Sequence, residues 1–453
     1  MKKIIALLLA AVMLLSLVAC GSAEKPAENK PAENKPEAAA PEAAPEAEGY
    51  TGPTGEITFV AWGSDNEIAC DLKACEAFMA SHPGTTVNFE ALNDDYGTAV
   101  ETRVIGGQAP DVIYGHPLTL LKWIQEGMLQ PITDVYENNE ELWNEDVFFT
   151  NLYQSYYYNN EYWATPVGAD TFVLFYNKDM LDAAGIPYPT KDTTWEELAQ
   201  MAEALTERDE EGAPITLGMD GLTWNWMNIL YSMGGKVLDN MNDPTKVVFE
   251  SPEALRMLNF LKDNYDNTNG FYANDNDWTY LSGGFGAGQV AFTISGVYDI
   301  VWMRDIEGFE WDIAPLPESM VEEGDTPVLY CGYAVAADSK NPELAKEFAR
   351  FMTDYEAQMI MGELGLITSL RKDVAYSDEI LKAPGSPDNH ALRVDNLPYS
   401  QNTQGQCLCW WEIDSVIYNT IYQMCEGQLT PEEAMTKIQT ECSALLEAEL
   451  AGK

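Results

Sequence analysis

From Glu56 to Tyr114 the apolar period of the chain switches repeatedly between two residues and about 3.6, and few folds satisfy that alternation. Glu56-Ile57-Thr58-Phe59-Val60-Ala61-Trp62 sets apolar residues at 57, 59 and 61, then stops at Gly63-Ser64-Asp65. A helical pattern follows from about Glu67 to Met79. Thr86-Val87-Asn88-Phe89 reads as a second strand, and a helix carrying Val100, Val104 and Ile105 ends at Gly106-Gly107. Pro110-Asp111-Val112-Ile113-Tyr114 supplies a third short strand. Strands that alternate with helices in this way build α/β layers with largely parallel pairing.

Later helix starts are marked by capping chemistry. Thr194-Trp195-Glu196-Glu197 is a capping box, with apolar residues at 198, 201, 202 and 205 behind it. Ser251-Pro252, Asn341-Pro342 and Thr430-Pro431 each set a capping residue before a proline suited to the first helical turn. The helix from Pro342 carries Leu344, Phe348, Phe351 and Met352 along one side. Short strands are expected at Phe172 to Tyr176, Val290 to Ile294 and Gly332 to Ala336.

The N-terminus has a different character. Lys2 and Lys3 precede an apolar run from Ile4 to Val18, and Leu17-Val18-Ala19-Cys20 closes it. That run is too short to cross a hydrocarbon core of roughly 30 Å, so residues 1–19 read as a removable signal. The arrangement resembles a bacterial lipoprotein signal, which makes Cys20 the lipidated first residue; an ordinary secretory signal with an incidental cysteine is the alternative. Residues 20–49 hold Pro26, Pro31, Pro36, Pro41 and Pro45 among Ala, Glu, Asn and Lys, with KPAEN twice in tandem. Such a segment has no apolar face to bury and suits a disordered, extended tether of up to roughly 80 Å.

Charge narrows the partners. The chain has 73 acidic and 25 basic residues, a formal net charge of −48, and the only charges in residues 1–19 are those of Lys2 and Lys3. Such a charge disfavours nucleic acid and anionic lipid surfaces as partners. Solubility of an exported protein accounts for the charge, and attraction of a cationic ligand is the sharper reading. Apart from Cys20, the cysteines are scattered at Cys70, Cys75, Cys331, Cys407, Cys409, Cys425 and Cys442. They do not form a dense disulfide framework, although one bridge is left open. Cys407-Leu408-Cys409 lacks the two-residue spacer of a zinc knuckle, and only His82, His116 and His390 exist to complete a site. No metal and no cofactor is expected.

Five blocks, taken in order, carry a resemblance to the extracellular solute-binding proteins that include the maltodextrin-binding proteins. They are EITFVAWGSDNE, then GGQAPDVIYGHP with GMLQPITDV, then YWATPVGADTFVLFYNKDMLDAAGIPYPTKDTTWEEL, then FGAGQVAFTISGVYD with WDIAPLPE, and GYAVAADSKNPELAKEFARFMTDYEAQ with LTPEEA. The resemblance spans nearly all of residues 56 to 440. It implies a two-lobed periplasmic-binding-protein-like fold of class II, with a ligand held between α/β lobes joined by a hinge of three crossing segments. Placed by motif, the crossings fall near Pro166 to Thr171, Ile294 to Gly296 and Cys331 to Tyr333. The N-lobe is then about 50–165 and 297–330, and the C-lobe about 170–294 and 334–453. Gly168, Ser295-Gly296 and Gly332 are small residues suited to such passages.

Strand ends in open α/β sheets face the ligand crevice, and aromatic residues gather there. The candidates are Trp62, Tyr114, Trp224, Trp226, Tyr298 and Trp411, with Trp410 beside the last. A sugar ring stacks its C–H face on such side chains while its hydroxyls need carboxylates and amides. Asp65 and Asp170 are the acidic candidates, and His116 is a donor unless it only caps a helix. For each aromatic the competing role is core packing. Gly283-Gly284-Phe285-Gly286-Ala287-Gly288 has the look of a phosphate loop but is followed by no Lys-Ser/Thr, and neither a nucleophile elbow nor a His-Glu-x-x-His motif occurs. The first reading is a monomeric, non-enzymatic lipoprotein that passes a carbohydrate to ABC permease subunits. A binder of a polyamine-like cation and a secreted carbohydrate-active enzyme are the alternatives. Pro117 after His116, where maltodextrin-binding proteins carry a charged pair, argues against maltose itself.

Overall fold

The computed structural model describes residues 50–265, 284–320 and 326–452, apart from 330, 364, 366, 386 and 403. Cys20 and the expected signal and tether lie outside the described residues.

The strand Gly55–Ala61 forms as its period-two pattern demands, burying Ile57 and Phe59, and pairs in parallel with Thr85–Ala91 and Val112–Gly115. Between them runs the helix Asp65–Ser81. Its start is fixed by a reciprocal capping box, in which Ser64 Oγ accepts from the Glu67 amide and Glu67 Oε2 accepts from the Ser64 amide at 2.6 Å. Cys70, Ala74, Cys75 and Phe78 on its inner face pack onto the sheet. The sheet continues with Gly332–Ala336, antiparallel to Val112–Gly115, and then Leu129–Gln130, while Ala164–Pro166 also pairs with Gly332–Ala336. The helix Pro342–Phe351 closes this first core, with Leu344, Phe348, Phe351 and Met352 buried.

The second sheet is built around Asp170–Asn177, which pairs antiparallel with Val290–Gly296, Trp311–Ala314 and Thr326–Leu329. Val173 and Phe175 enter one core, while Leu174 and Tyr176 enter another. A strand covered on both faces needs a continuous apolar run, and Phe172-Val173-Leu174-Phe175-Tyr176 supplies it. Asn177 then caps the next helix by accepting from the Met180 amide at 3.0 Å. Pro214–Asp220 extends the sheet beyond Val290–Gly296, and Ser400–Asn402 pairs with Thr326–Leu329. The capping boxes at Thr194 and Thr430 and the cap at Ser251 form as their sequences require.

Three expectations are corrected. Residues 297–330 were assigned to the N-lobe, yet Trp311–Ala314 pairs with Asp170–Asn177, and Ile300, Met303 and Ile313 lie in the second lobe's core. Conversely, Gly332–Ala336 and the helices Pro342–Phe351 and Tyr355–Glu363 belong to the first lobe rather than to a C-lobe starting at 334. The expected crossing at Ile294 to Gly296 is absent, because Gly296 is still paired with Phe172 in the second sheet. The chain passes between sheets after Pro166 and before Gly332, as expected. A further passage lies between Leu397, in the first core, and Ser400–Asn402 in the second sheet.

The first two passages run side by side, Val167 donating to the Cys331 carbonyl at 2.9 Å. Gly168 is required there: a Cβ would stand 2.6 Å from the Thr368 carbonyl oxygen.

Candidate functional site

Two cavities share one residue, His116. The first, about 690 Å³, is walled by first-lobe residues that include Trp62, Ser64, Glu67, Asn93 and Tyr96. The second, about 370 Å³, is walled by Phe172, Trp224, Asn225, Trp226, Asn228, Gln404, Trp410, Trp411, Asp414 and Tyr418 of the second lobe. His116, which lines both, is the N-terminal cap residue of the helix Pro117–Gln125 but makes no side-chain capping bond there.

The second wall is set by one helix, Trp410–Cys425. Trp410, Ile413, Ile417, Ile421 and Met424 recur at helical spacing and are buried. The next face, Trp411, Asp414 and Tyr418, lines the cavity. Trp410 is 0% exposed while Trp411 is 56% exposed, as about 100° of rotation per residue dictates. Trp224 is 69% exposed, and its ring meets Tyr418 edge-on at 6.4 Å. Trp226 is 1% exposed, so it is a core residue at the cavity floor, and it hydrogen-bonds Asp414. Burial pushes the Asp414 carboxyl above the usual range, and that bond from Trp226 opposes the rise.

On the first wall, Trp62 packs edge-on against Tyr96 at 4.6 Å and Tyr114 at 4.4 Å, and lies 5.2 Å from the His116 ring. Tyr114 supports Trp62 from behind and does not line either cavity. Its hydroxyl is pushed well up by burial. Asp65 is exposed in the first turn of its helix, outside the cavity; the capping bond draws Glu67 to the wall instead. Tyr298 lines neither cavity and meets Phe172 edge-on at 6.4 Å.

Asp170 sits at the first interlobe passage. Its Oδ1 is shut from solvent and accepts no hydrogen bond from the protein. Burial raises its pKa to about 8, with Glu67 and Asp299 adding to the rise and the buried Arg393 guanidinium opposing it. Arg393 is held by Thr368 Oγ1 at 2.9 Å and the Gly365 carbonyl at 3.1 Å.

Glu67, Asn93, Phe172, Asn225, Asn228, Gln404, Asp414 and Tyr418 also line the walls, although their sequence context does not single them out. For Asp414 and Tyr418 the one available signal is the spacing 411, 414, 418 on a helix whose other face is apolar. Taken together, the two walls offer stacking surfaces with carboxylates and amides between them, which suits a polar ligand with apolar faces.

The comparisons agree with this architecture. A family model described as bacterial extracellular solute-binding protein matches residues 63–359. A maltotriose-binding protein of Pyrococcus abyssi is 24% identical over 345 residues, covering 74% of this chain and 71% of its own. A galactooligosaccharide-binding protein of Bacillus subtilis is 22% identical over 417 residues, covering 87% and 90%. Among solved structures, an ABC substrate-binding protein of Listeria monocytogenes in complex with cycloalternan superposes with a TM-score of 0.72 at 23% identity. The match covers 87% of this chain and 99% of that one.

Proposed function

The chain belongs to the bacterial extracellular solute-binding protein family, and on that premise we propose that it captures a mono- or oligosaccharide between its two lobes and delivers it to an ABC permease. The observation that carries this is the pair of exposed tryptophans, Trp224 and Trp411, in one cavity with Asp414 and Gln404. Large apolar rings left open beside polar side chains are the chemistry of a sugar, whose ring stacks while its hydroxyls bond. Relatives named for maltotriose and for galactooligosaccharide support the class. Asp170 lines neither cavity and its Oδ1 is shut from solvent, so we assign it to a ligand hydroxyl only once the lobes have moved at the hinge. The protein acts as a monomer by binding and release, without making or breaking a bond. It is held on the outer face of the membrane by lipid on Cys20.

An amine such as a polyamine is the second reading, favoured by Asp414 in the same cavity as Trp224 and Tyr418 and by the net charge of −48. A thermal-shift screen over mono- and oligosaccharides, polyamines and amino acids separates the two. A ligand at 100 times its dissociation constant adds about 2.7 kcal/mol of stability. Stabilisation by a sugar is expected; stabilisation by polyamines alone would replace the first reading with the second.

A further inference from the structure

The turn before the helix Trp410–Cys425 holds a cluster that sugar capture does not use. The sulfurs of Cys407 and Cys409 and a carboxylate oxygen of Glu449 all lie within 4.8 Å of one another. Glu449 reaches the turn from the last part of the helix Pro431–Gly452. One of its oxygens accepts from the Cys409 backbone amide at 2.9 Å, which is ordinary service to a helix N-terminus. The Cys409 thiol also hydrogen-bonds the Glu449 carboxylate and the Cys407 sulfur, so three ligand-type groups already face one another at the turn. Cys407 is buried and Cys409 partly open, so the cluster has a sheltered side and an entry side.

We infer that Cys407, Cys409 and Glu449 form a binding site for one thiophilic divalent cation of the zinc type. Two thiolates with a carboxylate exclude calcium and magnesium, which take oxygen ligands, and match zinc, which takes sulfur and oxygen at about 2.3 and 2.0–2.2 Å in a tetrahedron. Ligand atoms within 4.8 Å of one another can close around such an ion with small side-chain shifts, and water on the open side completes the four. Both thiol protons pass to solvent as the ion binds, so affinity rises with pH. Spacing along the chain hid the site, because the third ligand is 40 residues downstream of Cys409. The bound ion pins the C-terminal helix to the start of the helix that carries Trp411.

Cobalt(II) is the probe. The full-length chain, reduced and freed of metal, should take up one cobalt ion with a thiolate-to-metal charge-transfer band that zinc abolishes. Cys409→Ser should remove most of that band. Glu449→Gln should weaken binding by more than the roughly 10–100-fold that loss of an outer-shell partner costs. Both changes are at partly exposed positions, and circular dichroism reports whether each variant is folded. A reduced wild-type chain that binds no cobalt overturns the site, as does a Cys409→Ser protein that keeps the band. So does a Cys407–Cys409 disulfide in protein taken from its native compartment.

Discussion

Trp411→Ala is the change that best separates a binding side chain from a structural one. Trp411 is 56% exposed, so folding buries less than half of its surface and truncation should lower stability by under about 1 kcal/mol. If a sugar ring lies on it, the same truncation removes a desolvated aromatic contact and should weaken binding by about 2 kcal/mol, roughly thirtyfold. Its neighbour provides the control. Trp410 is fully buried among Ile413, Ile417 and Ile421, and Trp410→Ala should cost about 3–5 kcal/mol of folding. Urea midpoints and calorimetric affinity for the sugar found by screening, measured on both variants, give the comparison. A large stability loss in Trp411→Ala with unaltered affinity would refute the assignment.

Asp170 should make stability depend on pH in an unusual direction. Its pKa is about 8 in the folded chain against about 3.9 unfolded, so the folded state keeps a proton that the unfolded state releases. This group's contribution therefore falls as pH rises from about 4 to 8, and Asp170→Asn should flatten that part of the melting-temperature profile; an unchanged slope would contradict it. Gly168→Ala should destabilise the chain because its Cβ meets the Thr368 carbonyl, and a melting temperature equal to wild type would show that the passage has room. Cys20→Ala should release the protein from membranes, and fractionation that still finds it there would remove the lipid anchor.

The local grammar of the fold was legible because it rests on short-range chemistry. Ser251, Thr194 and Thr430 cap helices where their sequences say, and the run from Phe172 to Tyr176 is a strand covered on both faces. Lobe membership was not legible, since it depends on which distant strand each segment joins. Gly332 marks a passage, but only its pairing with Gly115 shows that the chain is returning to the first sheet. Ser295-Gly296 looked like a passage for its small residues, whereas strand pairing carries straight through it. At the site, Trp411 could be separated from Trp410 by helical rotation. Trp226 could not be assigned to the core, nor Glu67 preferred to Asp65, before the cap and the packing of the floor were known.

Small-angle scattering on the chain with and without its sugar tests the central claim most directly. Two lobes joined by short passages can rotate about them while keeping their own cores. With saturation established by calorimetry, the account predicts that the radius of gyration falls as the wall of Trp62 and that of Trp411 close on the ligand. An identical radius in the two states, with sugar bound, would contradict capture between the lobes.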